Sequence, residues 1–268
     1  MSVMQRETTE GYAAANGVQM YWRSVGEGGT PLVLVHGGFG LADNLDDLAG
    51  QLAGGRRVIA VELQGHGRTA DVDRPFSSEA FGDDLAALIG ELGLGQADLL
   101  GYSLGAQASL RAAIQHPDRV RRLVSVSGAF RRDGWFPEVL EAKAHVNSGL
   151  FEQFRHSPPY AAYAAVAPDV DAFPVLMDKT GALLARGYDW TEDVRALRVP
   201  TLLVFADADG IPPSHMAEFF ALLGGGLRDA GWDGAQRPES RLAVLPGRTH
   251  YDVVQAPELP GMVADFLA

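Results

Sequence analysis

The chain has 268 residues, of which 47% are hydrophobic and 21% are charged, and it contains no cysteine. This composition is ordinary for a globular protein and excludes collagen, coiled coils and largely disordered chains. A formal net charge of -12 disfavours phosphate backbones and anionic lipid as partners, and the lack of cysteine excludes disulfides and thiolate chemistry.

A membrane span needs roughly 18 consecutive apolar residues, and no segment of the chain reaches that length. The opening segment MSVMQRETTEGY is polar and lacks the apolar stretch of a secretory signal peptide. We therefore expect a cytoplasmic protein that acts on a small molecule, with neither nucleic acid nor membrane as a partner. No pattern in the sequence predicts the oligomeric state.

Short runs rich in Val, Leu and Ile alternate with segments of helical periodicity, which is typical of a mostly parallel sheet flanked by helices. The first run, at residues 18–25, alternates apolar and polar residues and predicts a strand of an antiparallel edge hairpin. The later strands are expected to be buried on both faces, at 31–37, 57–63, 97–102, 122–128, 201–207 and 241–247. The predicted helices lie at 43–53, 78–92, 104–115, 214–223 and 256–267.

The alternation of strands and helices stops between residues 130 and 199. This stretch has no convincing strand pattern and contains aromatic and alanine-rich helical segments such as FPEVLEAKAHV. This change predicts a helical insertion at 131–198 in one α/β core domain formed by 1–130 and 199–268. A second irregular stretch, at 224–240, is rich in Gly, Asp, Ser and Arg and predicts a surface loop.

The segment DLLGYSLGAQASL places Ser103 between a predicted strand and a predicted helix, with Gly101 and Gly105 on either side. Such a turn crowds the backbone, and glycines let strand and helix pass closely while the serine Oγ stays accessible at the sheet edge. A G-x-S-x-G pattern also arises by chance as a small-residue bend. Its position directly after a strand and before a helix favours a serine nucleophile.

A serine hydroxyl needs a base to take its proton, so a nucleophilic Ser103 predicts a histidine at the end of a later strand. Among seven histidines, His250 follows a predicted strand and a Pro-Gly turn at the same sheet edge. His36 and His66 lie in glycine-rich turns after earlier strands, and we expect them to fix those loops. Surface or capping roles are expected for the other four, His116, His145, His156 and His215.

The base needs a carboxylate that holds its tautomer and stabilises the imidazolium. The segment TLLVFADADGIPP offers Asp207 at the end of a strand and Asp209 two residues later. We favour Asp209, whose place on the turn lets it lean toward the loop of His250. Asp207 is then expected to bind backbone N–H groups of the turn, and Asp133 is a more distant candidate.

Acyl transfer also needs hydrogen-bond donors for the oxyanion that develops on the carbonyl oxygen. The glycines of HGGFG, at residues 36–40, allow backbone N–H groups to converge after a strand. Gly38 and Leu104, the residue after the nucleophile, are the expected pair of donors. A phosphate-binding loop is disfavoured because no Lys-Ser or Lys-Thr follows the glycines. We expect no metal and no cofactor.

Ser103, Asp209 and His250 in this chain order, with HGGFG upstream, resemble the α/β-hydrolase fold superfamily over nearly the whole chain. The segment VELQGHGRT is similar to the D-x-x-G-x-G-x-S loop of that family, although Glu62 stands where Asp is usual. Ala206 likewise replaces the glycine of the family's G-x-x-D acid motif. The resemblance implies a doubly wound, mostly parallel sheet with a helical cap at 131–198 over the site.

The resemblance also implies that aromatic side chains of the cap and of the strand ends line a substrate pocket, although these rings have packing within the cap as an equal alternative. The candidate pocket residues are Phe39, Tyr102, Trp135, Phe136, Phe151 and Tyr160. Serine in place of aspartate at the turn argues against epoxide hydrolases and haloalkane dehalogenases, whose nucleophile is a carboxylate.

The resemblance thus implies a metal-free serine hydrolase, foremost a carboxylesterase acting on short-chain or aromatic esters through an acyl-enzyme on Ser103. Carbon-carbon bond hydrolases, lactonases and cofactor-free perhydrolases use the same three residues and remain alternatives. A ligand-binding receptor with little turnover is an alternative of a different class.

Overall fold

A computed structural model describes residues 8–268, in which eight strands form one sheet in the order β1-β2-β4-β3-β5-β6-β7-β8. The strands are β1 Thr8–Ala15, β2 Val18–Val25, β3 Leu32–Val35, β4 Val58–Val61, β5 Ala97–Tyr102, β6 Val120–Val126, β7 Thr201–Ala208 and β8 Arg241–Thr249. Only β1–β2 and β2–β4 pair antiparallel, and the other neighbours are parallel. The prediction of a mostly parallel sheet is therefore confirmed.

Ten α-helices lie within the same described residues. They are α1 Asp46–Leu52, α2 Ser78–Glu91, α3 Leu104–Gln115, α4 Pro137–Ala144, α5 Phe151–Phe154, α6 Pro158–Val166, α7 Phe173–Ala185, α8 Thr191–Ala196, α9 Pro213–Leu222 and α10 Leu259–Leu267. Helices α4 to α8 follow one another between β6 and β7, where the sequence predicted an insertion. That this segment is a separate cap domain stays a prediction.

The period of two along each strand divides the apolar side chains between the two faces of the sheet. In β3, Val33 and Val35 join a cluster that includes side chains of α2, α3 and α9, whereas Leu32 and Leu34 join a cluster with α1 and α10. All four residues are fully buried. Helices therefore cover both faces, as a doubly wound sheet requires.

The turn between β5 and α3 depends on two glycines, as the sequence indicated. A Cβ on Gly101 would collide with the carbonyl of Gly105, and a Cβ on Gly105 would collide with the carbonyls of Val35 and His36. Helix α3 therefore begins directly against the ends of β3 and β5. Any larger residue at either position forces these backbones apart.

The structure differs from the predicted elements at both edges of the sheet. Strand β1 was not predicted, because TTEGYAAA carries few large apolar residues and only Ala13 and Ala15 are buried. The turn Asn16-Gly17, where both residues have positive φ, was the available hairpin signal. Strands β1 and β2 form the antiparallel edge hairpin that the sequence predicted for residues 18–25, with β1 outermost.

Strand β8 was expected to be buried on both faces, and this was wrong. It forms the other edge of the sheet, and Leu245 is its only buried residue. An edge strand has a neighbour on one side only, and such a position also tolerates the Pro246 that lies within it.

The other outcomes concern loops and termini. Residues 224–240 form neither helix nor strand and are mostly exposed, as predicted for a surface loop. The first seven residues, on which the expectation about a signal peptide partly rests, lie outside the described residues. Between Thr8 and Ala268, every helix is too short or too polar to cross a lipid bilayer.

The glycine contacts predict a large difference between two substitutions. Gly105→Ala should lower the free energy of unfolding by about 3 kcal/mol, because the new methyl group meets fixed backbone carbonyls. Gly90→Ala in α2 is the control, since a Cβ there meets nothing within 4 Å, and it should raise stability by about 0.5–1 kcal/mol. Urea unfolding measures both, and equal stabilities would contradict this view of the turn.

Candidate active site

Ser103 is the first residue after β5 and lies in a strained turn. Its φ of 54° and ψ of -110° are unusual for a residue with a Cβ. Its backbone N–H donates to the carbonyl of Val126 at 2.9 Å, which ties the turn to β6. The Oγ lies 3.0 Å from Nε2 of His250, a hydrogen-bonding distance for a nucleophile and its base.

His250 is the first residue after β8, and it is held from two sides. Its Nδ1 lies 2.9 Å from Oδ1 of Asp209, the first residue after β7. The hydroxyl of Tyr102 donates to the carbonyl oxygen of His250 at 2.6 Å. These contacts fix both the ring and the backbone of the histidine, so that Nε2 faces Ser103.

The second carboxylate oxygen of Asp209 is also occupied. It accepts from the N–H of Ala206 at 3.2 Å and forms a short hydrogen bond with the hydroxyl of Ser127. Burial raises the pKa of Asp209, but the bonds from His250, Ser127 and Ala206 together lower it below its ordinary value. The side chain is therefore an anion that faces the imidazole.

Asp207 is exposed, and it binds backbone N–H groups, as the sequence suggested. Its carboxylate accepts from the N–H groups of Gly247 at 3.0 Å and Arg248 at 3.2 Å, and these bonds lower its pKa. It thus secures the end of β8 without contacting His250. Asp133 is exposed and pairs with Arg131, so it does not take part in this group either.

Ser127 was missed by the sequence reasoning. It follows β6 directly, has a positive φ of 52°, and is fully buried with its hydroxyl on Asp209. Its signal in the sequence was its place at the end of a predicted strand, the same feature that singled out Ser103. The parallel register of β5, β6 and β7 brings these strand ends together.

The two candidate oxyanion donors, Gly38 and Leu104, both line the cavity beside Ser103. Leu104 opens helix α3, where backbone N–H groups lack partners within the helix. Across residues 8–268, neither of these two N–H groups donates to a protein acceptor. Their use as an oxyanion hole stays a prediction.

A cavity of about 850 Å³ opens onto Ser103 and His250. Four of the predicted aromatic residues line it, namely Phe39, Tyr102, Trp135 and Phe136. The rest of its wall comes mainly from α4 and from the turn that follows β7, including Val139, Ala142, Lys143, Gly210 and Ile211. The region 131–198 therefore forms part of the cavity wall.

The structure does not bring Phe151 and Tyr160 to this cavity. Both rings pack on the fully buried Phe173 of α7, with centroids 6.2 and 5.0 Å away, and on each other at 5.5 Å. They build the interior of the helical segment instead. The sequence left this packing open as the alternative, because helical spacing alone does not tell a core face from a pocket face.

Lys143 on α4 was also missed, although it is one of only two lysines in the chain. Its Nζ lies 2.8 Å from the centroid of the Trp135 ring, and that ring meets His250 edge-on at 5.4 Å. Burial lowers the pKa of Lys143 to about 7; Asp209 opposes this effect and Arg132 adds to it. The wall of the cavity thus holds a titratable cation beside the imidazole.

Three further histidines, His36, His66 and His215, are buried, and they lie outside the hydrogen-bonded group of Ser103, His250 and Asp209. His36 accepts from the N–H of Leu63 and contacts the ring of His66, so both hold the glycine-rich turns. Burial lowers their pKa values to about 3 and 4. A surface or capping role was expected for His215, and this was wrong, because the residue is buried and its ring stacks on Phe130 with centroids 4.2 Å apart.

The remaining histidines agree with their predicted places outside the site. His116 follows α3 and pairs with Asp83 at 2.7 Å, while His145 and His156 lie in the helical segment away from the cavity. Over the described part of the chain, no three His, Asp or Glu side chains cluster as metal ligands would.

Known proteins are similar to this chain in both sequence and fold. A sequence model of the α/β hydrolase fold family matches residues 30–225. The pimeloyl-[acyl-carrier protein] methyl ester esterase of Neisseria meningitidis serogroup B is 33% identical over 205 residues, covering 69% of this chain and 77% of the relative. The 2-(acetamidomethylene)succinate hydrolase of Mesorhizobium japonicum is 28% identical over 220 residues, 75% of this chain and 74% of the relative.

Among solved structures, that of E-2-(acetamidomethylene)succinate hydrolase superposes with a TM-score of 0.73. The match covers 97% of this chain and 99% of the other at 22% sequence identity. This likeness extends the agreement in fold beyond the segment that the family model matches.

The environment of Lys143 predicts its titration. Its ammonium group should lose its proton with a midpoint of about pH 7, so that it is charged below this pH and neutral above it. Reductive methylation with ¹³C-formaldehyde gives each lysine an NMR signal, and Lys143→Arg assigns the signal that disappears. A midpoint above about pH 9 would contradict the environment described for this side chain.

Proposed function

The chain belongs to the α/β hydrolase fold family, and from this premise we propose that it is a serine hydrolase that cleaves carboxylic esters. The observation that carries the proposal is the continuous set of hydrogen-bonding distances from Ser103 through His250 to Asp209. In this arrangement a hydroxyl, a base and a buried anion stand in the order that acyl transfer needs.

In the first step, Oγ of Ser103 attacks the ester carbonyl carbon while Nε2 of His250 takes the hydroxyl proton. The C=O electron pair moves to oxygen, and the resulting oxyanion accepts from the N–H groups of Gly38 and Leu104. Asp209 stabilises the imidazolium through Nδ1. The free N–H groups and the strained turn are present before substrate binds, so little reorganisation is needed.

In the second step the tetrahedral intermediate collapses, and His250 returns the proton to the leaving alkoxide, which departs as an alcohol. The acyl group remains on Ser103. Water then attacks the acyl carbon, His250 takes a proton from that water, and Ser103 leaves with the proton that His250 gives back. The products are one carboxylic acid and one alcohol.

The choice of an ester rests on relatives and on the cavity. The Neisseria relative is named as a methyl ester esterase, and an ester bond is the bond that the mechanism above cleaves. The cavity of about 850 Å³, with Phe39, Trp135 and Phe136 on its wall, has room for short-chain and aromatic acyl groups. Carboxylesterase activity is thus the assignment that the geometry supports best.

Labelling tests the nucleophile directly. A fluorophosphonate probe should modify the wild-type protein at Ser103, and Ser103→Ala should abolish labelling and lower p-nitrophenyl ester hydrolysis by at least about a thousandfold. Mass spectrometry of the digested protein locates the adduct. If Ser103→Ala retained wild-type turnover, the mechanism would be wrong.

The two aspartates give a matched pair for testing the acid. Asp209→Asn should lower kcat by about 10²–10⁴-fold, because the amide does not stabilise the imidazolium and favours the wrong tautomer. Asp207→Asn keeps an oxygen acceptor for the β8 turn, so its loss should be at least about tenfold smaller. Ester hydrolysis kinetics with unfolding curves as a check on folding decide between them, and a reversed order would overturn the assignment of Asp209.

A further inference from the structure

A second, smaller cavity of about 240 Å³ adjoins the large one. The two share a wall formed by Gln107, Trp135, Lys143 and Leu184. Nothing in the ester mechanism uses the small cavity. It lies between α4, the end of α7 and the first turns of α2 and α3.

The small cavity holds two cations that lack an anionic partner. Across residues 8–268, Lys143 and Arg132 make no ion pair with a carboxylate and donate no side-chain hydrogen bond. The Nε atom of Arg132 is itself buried and unpartnered. Buried donors of this kind are normally satisfied, because leaving one without an acceptor destabilises the folded protein.

The two carboxylates in the cavity wall, Glu79 and Asp189, do not pair with Lys143 or Arg132. Glu79 lies 3.8 Å from Arg111, and Asp189 accepts from the N–H and hydroxyl of Thr191. The exposed Arg186 adds a third cation at the rim. The lining thus carries three basic side chains against two carboxylates, and neither carboxylate pairs with Lys143 or Arg132.

The position of Lys143 connects the small cavity to the chemistry. Its ammonium group lies over one face of Trp135, whose edge meets the ring of His250. One aromatic ring thus separates the cation from the imidazole. An anion that reached Lys143 would also oppose the effect of burial on the pKa of this lysine, as Asp209 already does.

We propose that the small cavity is a carboxylate subsite, in which Lys143 and Arg132 bind the free carboxylate of a dicarboxylic acid monoester while its ester carbonyl lies at Ser103. The inference rests on the proposed ester hydrolysis and adds the substrate class. A guanidinium and an ammonium match the two oxygens of a carboxylate. Lys143 Nζ lies 2.8 Å from the centroid of Trp135, and that ring lies 5.4 Å from the ring of His250, so the substrate class is a short dicarboxylic acid.

The kinetic test compares two esters of the same length, monomethyl adipate and methyl hexanoate. The wild-type kcat/KM should favour the anionic monoester by at least about tenfold, which corresponds to about 1.4 kcal/mol. Lys143→Met should lower that ratio by about tenfold, and Lys143→Arg should restore most of it. Arg155→Met, which removes an exposed cation of the same helical region, is the control and should keep the ratio.

A binding test uses protein that does not turn over. In ¹³C-methylated Ser103→Ala protein, adipate should shift the Lys143 signal and raise its pKa above the value of about 7 in the free protein, whereas the Lys179 signal stays in place. Lys179 already donates to Asp71 at 2.6 Å. Inorganic phosphate and hexanoic acid form the comparison arms, and adipate should bind more tightly than either.

The two tests separate this inference from the proposed function. If adipate shifts the Lys143 signal but the wild-type protein cleaves no ester, the carboxylate subsite is kept and the esterase is rejected. Ester cleavage with no preference for monomethyl adipate, no response to adipate, or tighter binding of phosphate would overturn the carboxylate subsite and keep the esterase.

Discussion

The strained turn at Ser103 is the constraint on which the rest of the site depends. Its backbone has a positive φ of 54°, and it lies between Gly101 and Gly105, which let α3 start against the ends of β3 and β5. The same turn exposes Oγ toward His250 and leaves the N–H of Leu104 unpaired. A position that is unfavourable for a serine thus also holds the proposed nucleophile, with the proposed donor beside it.

The parallel register of the sheet then brings the side chains at the ends of neighbouring strands to the same place as Ser103. Ser103, Ser127, Asp209 and His250 are each the first residue after β5, β6, β7 and β8, four neighbouring strands. Because parallel strands end at a common edge, these side chains meet there. Asp209 connects three of the four strand ends, since it binds both His250 and Ser127. The site is therefore a direct consequence of strand order.

This dependence on strand ends explains what the sequence predicted well. Strand-to-turn boundaries are visible in short apolar runs, so the fold class and the common sheet edge of Ser103, Asp209 and His250 could be predicted. The structure brings the three side chains together, and their catalytic roles stay a prediction. Features set by helix packing were not visible. Phe151 and Tyr160 pack on Phe173 instead of lining the cavity, because the rotation of α5 and α6 decides which face of each helix is buried. Lys143 was overlooked because its significance depends on its tertiary environment. It lies over the ring of Trp135 and pairs with no carboxylate of the described residues, which the sequence does not show.

The central claim is that the turn at Ser103 is built to receive a tetrahedral oxyanion. A crystal structure of the protein with an alkyl boronic acid tests it most directly, since boron adds to a nucleophilic hydroxyl and mimics that geometry. The account predicts a bond from boron to Oγ of Ser103, with one boronate oxygen about 2.7–3.1 Å from the backbone nitrogens of both Gly38 and Leu104. An adduct on another residue, or an oxygen that points away from both nitrogens, would contradict it.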